Sequence, residues 1–215
     1  METPDTTTTL FVPRRRLLGT IFCVGTGLLL GANRSDAMWS VMDVLRSLDG
    51  ERSGSGARPS REEIPPALRG VLGAQSEAYA KFLSRLNLRR ISVRQIIDSH
   101  AKARGKVHNT IPPRHLWGNI RNTLKVLDQV AARLGEPVGE VISVYRSPAY
   151  NALCPGAKSN SYHVRNNAID VRFKSPPRRV AAVARDMKKQ GVFKGGVGRY
   201  SNFTHIDTRG FNADW

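Results

Sequence analysis

Two short runs near the end of the chain alternate between apolar and polar residues and carry ionisable groups on a single face. Over 168–173, Ile169, Val171 and Phe173 fall on one side of an extended backbone, and Ala168, Asp170 and Arg172 on the other. Over 203–207, Thr204 and Ile206 share one face, while His205 and Asp207 share the opposite one. His163 lies seven residues before Asp170 in the same stretch. The spacing leaves two readings open. Asp170 is a solvated carboxylate on a polar strand face, or two imidazoles and one carboxylate converge as a ligand set for a catalytic zinc ion with an open fourth position. The arrangement is not the helical one in which two His residues stand one turn apart.

The rest of the chain beyond residue 75 reads as scaffold. Tyr79, Phe82, Leu83 and Leu86 predict a helix over 75–86. Ser92 and Gln95 form a capping-box pattern opening a helix that runs to about residue 103. Pro112-Pro113 starts a long amphipathic helix with Leu116, Ile120, Leu124, Leu127, Val130, Ala131 and Leu134 on one stripe and Gly135 as its stop. Residues 141–145 read as a buried strand ending at Arg146, and Ser147-Pro148 breaks it. Pro176-Pro177 precedes another amphipathic helix over 180–189, with Val180, Val183, Ala184 and Met187 inward. Gly195, Gly196 and Gly198 lack the lysine and threonine of a phosphate loop, and are expected to let backbone pass close under the His-bearing strand. Phe211 and Trp215 are expected to be hydrophobic plugs.

Four stretches together resemble one family. Ser161-x-His163-x-x-Asn166-x-Ala168-x-Asp170 is similar to the S-x-H-x-x-G-x-A-x-D motif of the zinc D-Ala-D-Ala carboxypeptidases. Tyr145-Arg146-Ser147 resembles the Y-R-S segment upstream of the first ligand. The run from Gly195 to Tyr200 resembles the G-G-V-G-x-Y before the last strand, and Phe203-Thr204-His205-Ile206-Asp207 resembles the F-V-H-x-D of the third ligand. Their order and spacing point to the murein endopeptidase branch, and the match covers about residues 92–215. The resemblance implies an α+β fold like that of the Hedgehog signalling domain: a small antiparallel sheet carrying a zinc site, packed against several helices. It implies Zn²⁺ held by His163, Asp170 and His205, and hydrolysis of D-amino-acid-containing peptide bonds of murein, as endopeptidase or D,D-carboxypeptidase, by metal-activated water.

Arg146 takes the place of a substrate-binding Arg, whose guanidinium can pair bidentately with a peptide carboxylate; a structural ion pair is the competing reading. Ser161 hydrogen-bonds substrate, as the family's serine does, or caps the loop. The family carries an acid or a His two or three residues before the last ligand. Asn202 and Phe203 stand there in this chain, and neither accepts a proton. Asp207 is therefore read as a carboxylate behind the metal or as the base. Asn166 replaces a Gly, and Asn is the residue next most tolerant of a left-handed turn. The missing base keeps a second reading open: a zinc-bearing but inactive wall-binding domain.

Residues 1–37 read as a signal peptide: Arg14-Arg15-Arg16 enters an apolar run over 17–32, and Ser35-Asp36-Ala37 offers small residues for cleavage near Ala37. The consecutive arginines resemble a twin-arginine export signal, which places the protein in the periplasm or cell envelope. An uncleaved anchor is the alternative, though the apolar run is short for a span that needs ~20 residues. Residues 38–75 read as a flexible linker with one short helix, and 76–215 as the zinc peptidase domain. Cys154 is then the one cysteine outside the signal, so no internal disulfide is expected. Lys and Arg total 34 against 17 acids, a formal net charge of +17, and the surplus persists beyond residue 37. Such a surplus calls for anionic partners. Nucleic acid is not expected, because no basic reading helix or zinc-finger spacing is present. Peptidoglycan peptides, anionic wall polymers or a membrane surface fit an exported chain.

Overall fold

A computed structural model describes residues 64–215, and the expected signal peptide and most of the expected linker lie outside them. The described chain is an α+β structure. Three helices come first: α1 (Pro66–Leu72), α2 (Ser76–Ser84) and α3 (Val93–Asp98). A two-stranded hairpin follows, β1 (Ala103–Arg104) with β2 (Val107–His108), and then the long helix α4 (Ile120–Leu134). The remainder alternates strand and helix: β3 (Glu140–Ser143), α5 (Pro148–Ala152), β4 (Ala168–Arg172), α6 (Pro177–Lys189), β5 (Gly196–Arg199), β6 (Thr204–Asp207) and β7 (Ala213–Asp214). The last five strands form one sheet in the order β3-β4-β6-β5-β7. Every pairing in it is antiparallel except β5 with β7, so the expected antiparallel sheet carries one parallel edge.

α4 forms where the apolar stripe was read. Ile120, Leu124, Leu127, Val130 and Ala131 are fully buried, and Gly135 ends the helix at φ +75°, where its N–H returns to the last turn. Burying each of the Ile, Leu and Val side chains contributes about 1.5–3 kcal/mol. The helix starts later than Pro112-Pro113 predicted, because residues 114–119 wind into a 3₁₀ turn. Gly118 weakens a regular helix there, and the buried Trp117 donates its indole N–H to the Pro112 carbonyl at 2.8 Å. The Ser92–Gln95 capping box is complete, with both reciprocal bonds made. Its helix stops at Asp98, sooner than expected, where Ser99 Oγ–H bonds the Ile96 carbonyl. In α6, Val180, Ala181, Ala184 and Met187 face the core, with Val183 only partly buried.

The linker expectation needs correcting at its C-terminal end. Ile64, Leu68 and Leu72 belong to the same buried cluster as α4 and the sheet, and Leu68 has no exposed surface. Three apolar residues at i, i+4 and i+8 give this stretch a stripe to bury, so residues 64–72 are part of the domain.

One face of the sheet, carrying Ile169, Val171 and Ile206, packs into that cluster. On the other face the ladder lines up functional groups in a row. Ser143 of β3 pairs with Asp170 of β4, Asp170 with His205 of β6, and His205 with Gly198 of β5. His163 and Arg146 pack over Asp170, Arg146 over Ser143 and Trp215 over His205, so these polar side chains are buried although they leave the core face.

Candidate metal centre

Three side chains meet on that row. One ligand atom each from His163, Asp170 and His205 lies within 4.8 Å of the others, and all three residues are buried. His163 Nε2 stands 3.2 Å from Asp170 Oδ2, and His205 Nδ1 stands 2.8 Å from Asp170 Oδ1. Tetrahedral zinc with bonds of about 2.0–2.2 Å separates neighbouring ligand atoms by roughly 3.3 Å, so the cluster has the right scale.

The outer hydrogen bonds fix which ring nitrogens face inward. His163 Nδ1–H donates to the Val144 carbonyl at 2.6 Å, which leaves Nε2 with its lone pair toward Asp170. His205 stands between two carboxylates, with Nε2 2.9 Å from Asp207 Oδ2 and Nδ1 2.8 Å from Asp170 Oδ1; the tautomer with its proton on Nε2, toward Asp207, is the one that turns the Nδ1 lone pair to the ligand set. Burial holds His163 below the ordinary histidine range. Burial also works against charging His205, but hydrogen bonds to Asp170 and Asp207 outweigh it and raise that ring's affinity for a proton. Burial likewise opposes ionisation of Asp170, yet the neighbouring His163 and His205 hold its carboxyl well below the usual range. Two inward lone pairs and one carboxylate, in a place that otherwise draws a proton, suit a divalent cation. The residues present fit a metal.

The structure places the other sequence-predicted residues as follows. Arg146 follows β3 and sits directly on the ligand set. Its Nη2–H donates to Asp170 Oδ2 at 2.5 Å and its Nε–H to Ser143 Oγ at 2.8 Å. The guanidinium is thus an ion-pair partner of a candidate ligand and also lines the cleft. Ser161 Oγ accepts the His163 backbone N–H at 3.3 Å, so it caps the loop that presents His163. Asn166 takes φ +53°, the left-handed conformation expected of it.

Asp207 is not placed to act as base, which corrects one of its two readings. It is completely buried and both its oxygens are committed. Oδ1 accepts from the N–H groups of Gly196 and Arg209 and from Arg209 Nε, and Oδ2 accepts from His205 and Arg209 Nη2. Burial opposes its ionisation, but the Arg209 bonds and His205 hold its carboxyl below the usual range. It is the carboxylate behind His205.

Phe211 and Trp215 are not plugs either, being 57% and 46% exposed. The Trp215 ring lies 5.3 Å from that of His205, and its Nε1–H donates to Tyr200 Oη at 3.0 Å. Tyr200 in turn stacks on Phe203 at 4.2 Å. Lys188 and Arg185 of α6 pin the underlying strand through Asp214. Gly198 leaves room for the wall, because a Cβ there would stand 2.5 Å from the Trp215 ring. Sequence reasoning missed Arg209, although strand period two extends the face of 205 and 207 to it.

The cleft over the ligands encloses about 640 Å³. Arg146, Lys158, Arg165 and Arg209 line it, and Asp170 is the one acidic side chain among the described residues that do. A larger groove of about 1000 Å³ lies away from the ligands, between α2 and the segment leading into α3. Cys154 is buried and unpaired, with its Sγ 3.4 Å from the Tyr150 carbonyl. Among the described residues no helix is long and apolar enough to cross a membrane.

Comparison with known proteins adds an independent line. The chain is 41% identical over 75 residues to the probable peptidoglycan L,D-endopeptidase MepK of Haemophilus influenzae. That stretch is 32% of this chain and 38% of the relative, so the chain spans well under half the length of the protein it matches. No solved structure matches it significantly. The family model described as Peptidase M15 matches residues 85–207, a span that contains α3, α4, the metal-ligand loop and all three candidate ligands. This chain therefore belongs to the Peptidase M15 family of metallopeptidases.

Proposed function

We propose that this protein is an exported, zinc-dependent peptidoglycan peptidase that hydrolyses D-amino-acid-containing peptide bonds of murein. The observation that carries the reading is the buried His163–Asp170–His205 cluster at the floor of an otherwise cationic cleft. The name of the Haemophilus relative supports peptidoglycan as the substrate. The cleft supports it too, since stem peptides carry free carboxylates that Arg146, Lys158 and Arg165 can attract. Export to the periplasm or envelope rests on the signal-like residues 1–37, and a fold shared with the Hedgehog domain rests on the motif resemblance.

His163, Asp170 and His205 would hold the ion. Bound zinc supplies Lewis acidity at the scissile carbonyl and activates water for attack on it. The chain's own residues do the rest. Val144 and Asp207 keep the two imidazoles in the tautomers that bind metal. Arg146 donates to Asp170 and presents its guanidinium to substrate oxygens. Trp215, Tyr200 and Phe203 wall one side of the cleft.

A second reading, a zinc-bearing wall-binding domain without activity, is favoured by one observation. No carboxylate other than Asp170 lines the cleft among the described residues, so a protein base is missing. Incubation of the zinc-loaded protein with purified sacculi decides between them, with mass spectrometry of the released muropeptides. Peptide release that disappears in His163→Ala supports the peptidase. Zinc-loaded protein that binds sacculi and releases nothing supports the second reading. A protein that takes up no zinc overturns both.

A further inference from the structure

We propose that Arg209 is a positioning residue of the metal site, holding His205 through Asp207 and bracing the aromatic wall beside it. The inference rests on the metal reading above.

Arg209 makes three bonds to one carboxylate. Its backbone N–H and its Nε–H reach Asp207 Oδ1 at 3.2 and 2.8 Å, and its Nη2–H reaches Oδ2 at 2.5 Å. The paired guanidinium and carboxylate fix the plane of Asp207. The same Oδ2 accepts from His205 Nε2 at 2.9 Å, so the plane of the carboxylate sets the tilt of the imidazole. Asp207 has no exposed surface, and no solvent is at hand to replace a lost partner.

The guanidinium is also ringed by aromatic groups. It lies 4.1 Å from the Tyr162 ring centre, 5.2 Å from that of Trp215 and 5.6 Å from that of Phe211. Tyr162 directly precedes the ligand His163, and Trp215 packs on the ligand His205. One cation therefore touches the neighbour of each histidine ligand. Gly196 shows how closely the pair is packed. A Cβ at that position would overlap Asp207 Oδ2 and stand 2.7 Å from Arg209 Nη2. Lysine at 209 would retain the charge but could not form the two-pronged bond.

The test uses the full chain, stripped of metal, and titrates Zn²⁺ against a competing chromophoric chelator. Wild type, Arg209→Gln and Arg209→Lys are compared, with the melting temperature of each metal-free protein measured alongside. Arg209→Gln is expected to bind zinc about 10- to 100-fold more weakly. Arg209→Lys is expected to recover part of that loss and to remain at least threefold weaker than wild type. If Arg209→Gln is folded and binds zinc within twofold of wild type, the proposal is overturned, even if its melting temperature falls. Should Arg209→Gln not fold, Arg209→Lys decides by the same twofold criterion. Wild type that binds no zinc would instead remove the metal reading on which the proposal rests.

Discussion

Asp170 and His205 face each other across the β4–β6 ladder, with the imidazole Nδ1 2.8 Å from the carboxylate Oδ1. The register puts them there, and a slip of one residue in either strand would send one of the two to the opposite face. Because Asp170 also receives Arg146 and stands beside His163, its charge is the centre of the site. Asp170→Asn keeps the shape and removes that charge. Zinc affinity is expected to fall at least about 100-fold while the far-ultraviolet circular dichroism stays that of wild type. A chelator competition that finds less than a tenfold change would mean the carboxylate is not a ligand.

Gly198 sits in the same row, on the far side of His205, and the Trp215 indole occupies the space a side chain would need. Gly198→Ala is expected to cost about 1–3 kcal/mol of stability by overpacking and to shift the tryptophan emission. In a Trp215→Ala background the same substitution should cost less than about 0.5 kcal/mol, because the clash is gone. Urea unfolding of the four proteins in the cycle gives both numbers. Equal costs in the two backgrounds would show that the indole does not fill that space.

What could be read from the sequence was local periodicity. The alternation around Asp170 and His205 located two strands and their polar face, and the stripe of α4 located the main core helix. The candidate ligand set was legible because Asp170 and His205 lie in those two runs and His163 stands seven residues ahead of Asp170. Arg209 was not, because its partners depend on how the chain turns after β6 and brings Phe211 and Trp215 back beside β5. The same return explains why the two aromatic residues expected inside are half-exposed, with Trp215 on the cleft wall. Asp207 was ambiguous for a related reason. Period two shows that it shares a face with His205, but only the fold shows Gly196 and Arg209 consuming its lone pairs.

His100 carries an acid sensitivity separate from the metal site. It is fully buried against Tyr79, with ring centres 5.6 Å apart. Burial, only partly offset by the Tyr145 backbone and helped by the Lys102 charge, pushes it down to about 3 from 6.5. The unfolded chain therefore binds a proton near pH 6.5 that the folded one refuses, so stability is lost as pH falls from there toward 3. Between pH 6.5 and 5 the loss from this residue is about 2 kcal/mol. His163 is depressed in the same direction, whereas the raised His205 favours the folded state at low pH. In metal-free protein, His100→Phe should flatten the pH dependence of the urea midpoint over this window. An unchanged slope would place the proton uptake elsewhere.

Asn166 turns the chain between the first two candidate ligands, and it does so with both its backbone and its side chain. It is buried at φ +53°, its N–H returns to the His163 carbonyl at 3.1 Å, and its Nδ2–H donates to the Leu116 carbonyl at 3.0 Å. The side-chain bond ties the ligand loop to the 3₁₀ turn before α4, which a Gly here could not do. Asn166→Gly keeps the left-handed backbone and loses that bond, at a cost of about 1–2 kcal/mol. Asn166→Ala loses the bond and adds left-handed strain of about 1 kcal/mol or more. The expected order of urea midpoints is Asn, then Gly, then Ala, with zinc affinity falling in the same order because this loop presents His163. Ala matching or exceeding Gly would show that the turn is not held at positive φ in solution.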